Sequence, residues 1–223
     1  SIAVSWDSHR LIVDTGPDFR TQCLRAEIDS LDAVLYTHTH ADHIFGIDDL
    51  RSFNFVQKKE IPLYASAESI EILQKTFSYI FKPDPNYLGG ALPKLSLNQI
   101  EPYEAFEISG LQIMPLALKH GRMEVLGFRI GDFAYLTDCH EIPAESKKHL
   151  QGLDNLILDG LRDRPHRTHM SFERAVEEIE DIKPKKTYLI HITHETGHEE
   201  GNAKLAKMTE MGVEFAYDGL KIR

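Results

Sequence analysis

Four side chains that can bind metal ions lie within six residues of one another in the first quarter of the chain. They are His38, His40, Asp42 and His43, and they follow an apolar run at residues 33–36 that has the length of a β-strand. In an extended segment, residues two apart point to the same side, so His38 and His40 can bind one ion together. Once the chain turns, Asp42 and His43 can reach a second ion. Imidazole nitrogens combined with a carboxylate suit Zn, Fe or Mn better than Mg or Ca.

Three further ligand-type side chains follow apolar stretches of strand length later in the chain. They are His120, Asp138 and His191. A carboxylate at the end of a buried strand is costly without a cation partner, which favours a metal role for Asp138. The alternative, polar groups that cap strand ends, explains each residue singly better than it explains the whole set.

The order of these motifs resembles the metallo-β-lactamase superfamily of binuclear metal hydrolases. The resemblance rests on the Asp14-Thr15-Gly16 segment, the His-x-His-x-Asp-His motif and the three downstream residues, and it runs from residue 14 to residue 191. It implies two divalent metal ions, zinc or manganese, with iron as the alternative. The resemblance divides the ligands into two sets that share Asp138 as a bridge: His38, His40 and His120 for one ion, and Asp42, His43 and His191 for the other.

A further histidine is predicted to act in catalysis. His169 lies just before Ser171, which has the residue type and position of a helix N-cap, in a segment rich in Arg and His at residues 162–170. In the phosphodiesterase and tRNA-processing branches of the superfamily, a histidine in this place is the general acid. The resemblance therefore implies that His169 protonates the leaving oxygen, with simple solvent exposure as the alternative. Asp42 is predicted to be catalytic as well as a metal ligand.

Four other residues are predicted to support the site or to contact substrate: Asp14, Asp159, His194 and Tyr87. The resemblance implies that Asp14 holds the loop that carries the His motif. Asp159 ends a predicted strand, where it could orient another side chain or cap a helix, and His194 is expected at the edge of the pocket. Tyr87 lies in an irregular stretch at residues 81–97 that is rich in Pro and Gly. A lid over the substrate and a solvated insertion both remain open for this stretch.

The pattern of strands and helices predicts the fold class of the same superfamily. We expect an α/β protein of αββα type, in which two mixed β-sheets pack together and helices cover the outer faces. Hairpin turns are predicted at Ser109-Gly110 and Gly131-Asp132, and a final hairpin of residues 213–217 with residues 220–222. A helix is predicted at residues 44–55, broken or started by Gly46. Residues 1–223 are expected to form a single domain. The chain begins without Met inside a predicted strand, which leaves open that a native N-terminal segment is missing.

The function expected from these motifs is metal-dependent hydrolysis of small, including cyclic, phosphodiesters. Within the superfamily the chain resembles the phosphodiesterase of the carbon–phosphorus lyase pathway, because the long loop, the His169 segment and the Ile-His-Ile-Thr-His stretch follow one another in the same order. One alternative is a nuclease like the tRNA 3′-processing endonuclease. Another is hydrolysis of a thioester or a lactone, which needs no general acid of the His169 kind.

Composition limits the partners and the compartment. The net charge of −10 over 223 residues argues against a nucleic-acid partner, since phosphate backbones are bound through clustered Lys and Arg. No stretch approaches the roughly 20 apolar residues that span a bilayer, so no membrane partner is expected. Two cysteines far apart in sequence fit a reducing, cytoplasmic compartment. A small-molecule substrate is the expected partner, and a homodimer remains open.

Overall fold

The computed structural model describes residues 1–86 and 88–222, and these residues form two compact units. The first unit contains residues 1–101 with 108–111, and the second contains residues 102–107 with 112–222. Each unit has a sheet and an apolar core of its own. Tyr87, which the sequence places near the substrate, lies outside the described residues.

The first unit is built on a five-stranded mixed sheet whose strands lie side by side in chain order. They are β1 (Ile2–Trp6), β2 (His9–Val13), β3 (Ala33–Leu35), β4 (Ile61–Ala65) and β5 (Leu95–Gln99). Strands β1 and β2 form an antiparallel hairpin, and the remaining pairs are parallel. Parallel neighbours need crossover connections, which here contain helices. These helices are α1 (Phe19–Arg25), α2 (Ala41–Ile44), α3 (Leu50–Gln57), α4 (Ala67–Thr76) and α5 (Ser78–Phe81).

The helix predicted over residues 44–55 is interrupted at Gly46, where the sequence predicts that it breaks or begins. Helix α2 ends at Ile44, a single 3-10 turn covers Ile47–Asp49, and α3 begins at Leu50. The interruption falls at Gly46, whose N–H donates to the carbonyl of Thr15 at 2.8 Å. A Cβ on Gly46 would lie 2.3 Å from the carbonyl oxygen of Gly16, so only glycine allows this close approach of two backbones.

The irregular stretch predicted over residues 81–97 is shorter in the structure. Helix α5 extends to Phe81, and β5 begins at Leu95 and pairs in parallel with β4. The sequence did not predict this strand, because residues 95–99, Leu-Ser-Leu-Asn-Gln, have weak strand propensity and follow a segment that is rich in proline. Leu88, inside the remaining connection, is almost fully exposed.

The second unit is built on a seven-stranded mixed sheet. Its strands are β6 (Phe106–Ile108), β7 (Leu111–His120), β8 (Met123–Ile130), β9 (Phe133–Leu136), β10 (Asn155–Asp159), β11 (Lys186–Ile190) and β12 (Val213–Phe215), in the order β12-β11-β10-β9-β8-β7-β6. Strands β7, β8 and β9 are antiparallel, as the predicted turn at Gly131-Asp132 requires, and β9 to β12 are parallel. The helices are α6 (Ala144–Lys148), α7 (Phe172–Ile182) and α8 (His198–Met208).

The hairpin predicted at the end of the chain is wrong. Residues 213–215 form β12, which pairs in parallel with β11, and residues 220–222 form no strand. The connection from β11 to β12 contains α8, so this end of the sheet is a strand–helix–strand crossover. The side-chain oxygen of Asn202 on α8 accepts from the N–H of Phe215 at 2.7 Å, which fixes the helix to the strand.

A glycine permits the contact between α8 and β12. A Cβ on Gly201 would lie 2.0 Å from the ring of Phe215, which is buried and packs against Phe172 at a centroid distance of 5.2 Å. We expect Gly201→Ala to lower the free energy of unfolding by about 1–3 kcal/mol, because this overpacking outweighs the better helix propensity of alanine. Urea unfolding measures the change. Gly90→Ala is the matched control, since no atom lies within 4 Å of its added Cβ, and equal stability of both variants would contradict the prediction.

Two mixed sheets with helices in each unit agree with the predicted fold class. None of the helices in the described part of the chain has the length and apolar run needed to cross a bilayer.

Candidate metal centre

The first group of predicted ligands lies in the turn after β3 and in helix α2. The Nε2 atom of His38 lies 3.0 Å from the Nδ1 atom of His40, so two ring nitrogens converge on one point. The rings of His38 and His43 are 4.1 Å apart, and Nε2 of His43 lies 3.4 Å from a carboxylate oxygen of Asp42. The four side chains of the motif therefore form one cluster. Three imidazoles beside a carboxylate form a donor set that suits a zinc-like ion.

A buried hydrogen-bond network decides which ring nitrogens of this cluster can bind metal. The hydroxyl of Thr37 donates to Oδ2 of Asp14 at 2.7 Å, and Nδ1–H of His43 donates to the same oxygen at 2.7 Å. Since the single Thr37 proton is used, Nδ1–H of His38 must be the donor to the Thr37 oxygen at 3.0 Å. His38 and His43 therefore both present the lone pair of Nε2.

Asp14 holds this network in an unusual backbone conformation. It directly follows β2, has a φ of +61°, and is almost fully buried. Its other oxygen accepts from the backbone N–H of Thr37 at 2.8 Å. A non-glycine residue is strained in the left-handed region and persists there only when its surroundings hold it. The predicted role of Asp14 in holding the motif loop fits these contacts.

We expect Asp14→Asn to weaken metal binding about 10- to 100-fold, the usual effect of removing a partner that orients a ligand. Asparagine tolerates the left-handed conformation, but its NH₂ group would face the donors on Thr37 and His43. Chelator competition measures the affinity. Asp29→Asn, at an exposed site in the same unit, is the control. An affinity equal to that of the wild type would show that Asp14 only supports the fold.

The second group of predicted ligands lies at strand ends of the second unit. Asp138 closely follows β9 and His191 directly follows β11, with φ values of +50° and +63°. The Nε2 atom of His191 lies 3.5 Å from Oδ2 of Asp138. The carboxylate is almost fully buried and takes a hydrogen bond of 2.6 Å from the Thr137 hydroxyl. A buried carboxylate in a strained conformation, facing a histidine nitrogen, is consistent with cation binding.

His120, the last residue of β7, is oriented from outside its own strand. Its Nδ1–H donates to the backbone carbonyl of Thr168 at 2.9 Å, so Nε2 carries the lone pair. Gly121 turns the chain directly afterwards with a φ of +63°, and a Cβ there would lie 2.8 Å from the Thr168 side chain. The turn and the loop before α7 thus fit together only with glycine at this position.

His169 packs between two of the predicted ligands. Its ring stacks on His191 with centroids 4.6 Å apart and meets His120 edge-on at 4.8 Å. Nδ1–H of His169 donates to Oδ2 of Asp159 at 2.6 Å, and the same oxygen accepts the backbone N–H of Cys139 at 2.9 Å. Asp159 therefore orients His169 and does not cap a helix. Burial raises the pKa of Asp159 well above its usual value, against the lowering effect of the nearby His191 charge.

Cys139 is beside the predicted bridging carboxylate but belongs to the apolar core of the second unit. Burial is the main cause that raises the pKa of its thiol well above the usual value, and the charges of Asp159 and Asp138 act in the same direction. The thiol is therefore protonated and packs as an apolar side chain of the core.

Sequence reasoning missed two contributors to the site. Thr37 orients His38 and Asp14 through its hydroxyl, and the carbonyl of Thr168 orients His120. The position of Thr37 directly before the His motif is a sequence signal, whereas a backbone carbonyl gives none. His194 is exposed, and no hydrogen bond or ion pair involves its side chain among residues 1–86 and 88–222. Its place at the pocket edge stays a prediction.

Comparison with known proteins identifies the family. Residues 9–192 match the family described as the beta-lactamase superfamily domain. An octanoyltransferase of Porphyromonas gingivalis is 37% identical over 213 residues, which are 95% of this chain but only 42% of that protein. The chain thus spans less than half the length of the curated relatives it matches.

Solved structures agree with this assignment. A diphosphatase from the PhnP family is 39% identical with a TM-score of 0.88, and the match covers 99% of this chain and 81% of that one. The short form of human tRNase Z is 17% identical with a TM-score of 0.71 over 98% of this chain and 89% of that one, which shows a shared fold alone. The predicted resemblance and fold class are confirmed. The chain belongs to the β-lactamase superfamily and has the metallo-β-lactamase fold.

Proposed function

We propose that this protein is a metal-dependent hydrolase, a phosphodiesterase that acts on small, including cyclic, phosphodiesters with two divalent metal ions. His38, His40 and His120 would hold one ion, Asp42, His43 and His191 the other, and Asp138 would bridge them. The donor set of imidazoles and carboxylates favours zinc or manganese, with iron as the alternative. The name of the similar PhnP-family diphosphatase, which is 39% identical, supports phosphoryl chemistry.

When bound, the metal pair supplies Lewis acidity, which lowers the pKa of water and neutralises charge that develops on a phosphoryl group. The protein's own residues supply orientation and a proton. Hydrogen bonds from His38 to Thr37, from His43 to Asp14 and from His120 to Thr168 keep three Nε2 atoms available as ligands. Asp42, which is partly exposed, is proposed to be both a ligand and a contributor to catalysis.

The observation that carries the proposal is the pairing of His169 with Asp159. A carboxyl oxygen of Asp159 lies 2.6 Å from Nδ1 and fixes the orientation of the imidazole ring, which leaves Nε2 as the atom that would give a proton to a leaving oxygen. The ring contacts two predicted ligands, and this contact supports the proposed role beside a leaving group. Departure of an alkoxide needs such a proton donor, whereas thioester or lactone hydrolysis depends on one much less.

The test is a substrate panel on protein reconstituted with zinc or manganese. The panel contains an alkyl phosphodiester, a cyclic ribose phosphate, a diphosphate diester, an acyl thioester, a lactone and a precursor tRNA. We expect the highest kcat/KM on the diesters. A preference for the thioester or the lactone by more than tenfold would reject the proposal.

A second candidate is hydrolysis of a thioester, and one comparison favours it. A relative that is 37% identical bears the name octanoyltransferase, which concerns acyl groups. Because the match covers only 42% of that protein, its name can describe a part that this chain does not match. An octanoyl thioester, used as the acyl thioester of the panel, tests this candidate directly.

Processing of tRNA is the weaker alternative. The similarity to human tRNase Z is a likeness of fold at 17% identity, and a net charge of −10 opposes a long polyanion. Part of the positive charge near His169 is also compensated, since Glu195 pairs with both Arg162 and Arg164. We therefore propose a small-molecule partner.

The remaining expectations concern compartment and assembly. Cys23 and Cys139 are both buried free thiols, which fits the proposed cytoplasmic location. Light scattering of the purified chain decides between a monomer and a homodimer.

A further inference from the structure

Tyr36 carries a buried hydroxyl group two residues before the first histidine of the His motif. The residue directly follows β3, and its side chain is fully buried in the core of the first unit. Its hydroxyl lies 2.7 Å from the hydroxyl of Thr15, which is fully buried as well. Burial raises the pKa of the Tyr36 phenol well above its usual value, so the phenol keeps its proton. The two hydroxyls thus form one neutral, buried hydrogen bond.

This hydrogen bond does more than fill space in the core. Phenylalanine has the same ring as Tyr36, and valine has nearly the shape of Thr15. Replacing both partners of a buried hydrogen bond by apolar groups of the same shape can be nearly neutral for stability. A hydrogen bond depends on distance and direction, whereas apolar contact does not, so the pair fixes the position of Thr15 more sharply than packing alone.

The backbone of Thr15 holds the end of helix α2. Its N–H donates to the carbonyl of His43 at 2.7 Å, and its carbonyl accepts from the N–H of Gly46 at 2.8 Å. The residue before it, Asp14, accepts from Nδ1–H of His43 at 2.7 Å. His43 is therefore held twice by this segment, through its backbone by Thr15 and through its ring by Asp14.

The segment that holds His43 has a conformation that needs support from its surroundings. Asp14 has a φ of +61°, and a non-glycine residue stays in this region only when neighbouring groups hold it there. Relaxation of Asp14 would turn the peptide groups of Thr15 away from His43. The bond from Tyr36 fixes the side chain of Thr15, the next residue along the chain, and so opposes this relaxation.

We propose that Tyr36 is a positioning residue of the metal centre, whose hydroxyl holds Thr15 and thereby sets where Nε2 of His43 is presented to an ion. This inference rests on the metal binding that the proposed function requires, and it adds a residue that does not itself contact an ion. Loss of the hydroxyl should therefore loosen the hydrogen bond between His43 and Asp14 and weaken metal binding.

Tyr36→Phe tests the inference, because it removes the hydroxyl and keeps the ring. We expect the Kd for zinc, measured by chelator competition, to rise about three- to tenfold, the effect of one buried hydrogen bond. A second measurement needs no metal. In the metal-free protein, the proton on Nδ1 of His43 should exchange with water at least about threefold faster by NMR, since its hydrogen bond to Asp14 opens more often.

The double variant Tyr36→Phe/Thr15→Val separates positioning from stability. With both hydroxyls gone, no buried donor or acceptor is left without a partner, so the free energy of unfolding should return close to the wild-type value. Weaker zinc binding and faster exchange of the His43 proton should nevertheless remain. If both also return to wild-type values, the contact has only a structural role and the inference is wrong.

Tyr103→Phe is the matched control. The hydroxyl of Tyr103 lies 3.0 Å from that of Ser146, so the same kind of hydroxyl pair occurs in the second unit, on residues that are not predicted ligands. This variant should keep the zinc affinity and the His43 proton exchange of the wild type. Unchanged values in Tyr36→Phe, or equal changes in both variants, would overturn the inference. If the wild type binds no zinc, the proposed function fails, and the exchange of the His43 proton still tests the role of Tyr36.

Discussion

Replacing Asp138 with asparagine should abolish hydrolysis and reduce the bound metal from two ions per chain to at most one. The proposed role of this carboxylate is to bridge both ions, so its loss affects both sites together. The charge stabilisation that two ions supply is worth several kcal/mol, and about 1.4 kcal/mol corresponds to a factor of ten, so we expect a loss of at least about a thousandfold in kcat/KM. Metal analysis by mass spectrometry and steady-state kinetics measure the two effects.

The choice of asparagine separates the loss of the bridge from a failure to fold. Asp138 has a φ of +50°, a conformation that asparagine tolerates better than alanine does. The side-chain carbonyl can still accept the hydrogen bond from Thr137. Without metal, the variant should be at least as stable as the wild type, because a buried charge has been removed.

Asp132→Asn is the matched control for this experiment. Asp132 is exposed in the turn between β8 and β9, and its backbone carbonyl rather than its side chain accepts from Asp154. The control should bind two ions and keep its activity. Two ions and full activity in Asp138→Asn would eliminate the bridging role and with it the proposed binuclear mechanism.

His169→Ala should slow the hydrolysis of alkyl or ribose diesters about 10²- to 10⁴-fold, the usual contribution of a general acid. A basic alkoxide departs slowly when no proton is supplied, whereas a nitrophenolate is stable enough to leave unaided. The rate of hydrolysis of nitrophenyl diesters should therefore fall much less in this variant. Kinetics on both classes of substrate and metal analysis together measure the effect, and the metal content should remain at two ions per chain.

His166→Ala tests whether the effect belongs to the paired histidine or to the positive loop as a whole. His166 is exposed, and its ring lies 5.2 Å from that of His169. His166→Ala should lower the rate of hydrolysis of both classes of substrate by less than His169→Ala lowers it. If His169→Ala lowered the rate of hydrolysis equally for alkyl and nitrophenyl diesters, proton donation by His169 would be contradicted. His169 would then orient the substrate. No fall on either would favour the thioester or lactone candidates.

The sequence by itself determined the family and the predicted ligand set, because that information is local. His38, His40, Asp42 and His43 lie on one short segment, and the apolar run before them marks the strand that delivers them. The same holds for Asp138 and His191, each of which closely follows a buried strand. Short turns likewise predicted the antiparallel pairing of β8 with β9.

Only the tertiary structure decided how these side chains are oriented and paired. The donors and acceptors that fix the rings come from distant parts of the chain: Asp14 reaches His43 over 29 residues, and Thr168 reaches His120 over 48. Because pairing partners lie far away in the sequence, the predictions at the edges of both sheets were also wrong. Nothing within residues 213–222 shows that β12 pairs with β11 across α8, and nothing near residue 95 shows that β4 supplies the partner of β5. Periodicity records which face of a segment is buried, whereas hydrogen-bond partners depend on which other segment covers that face.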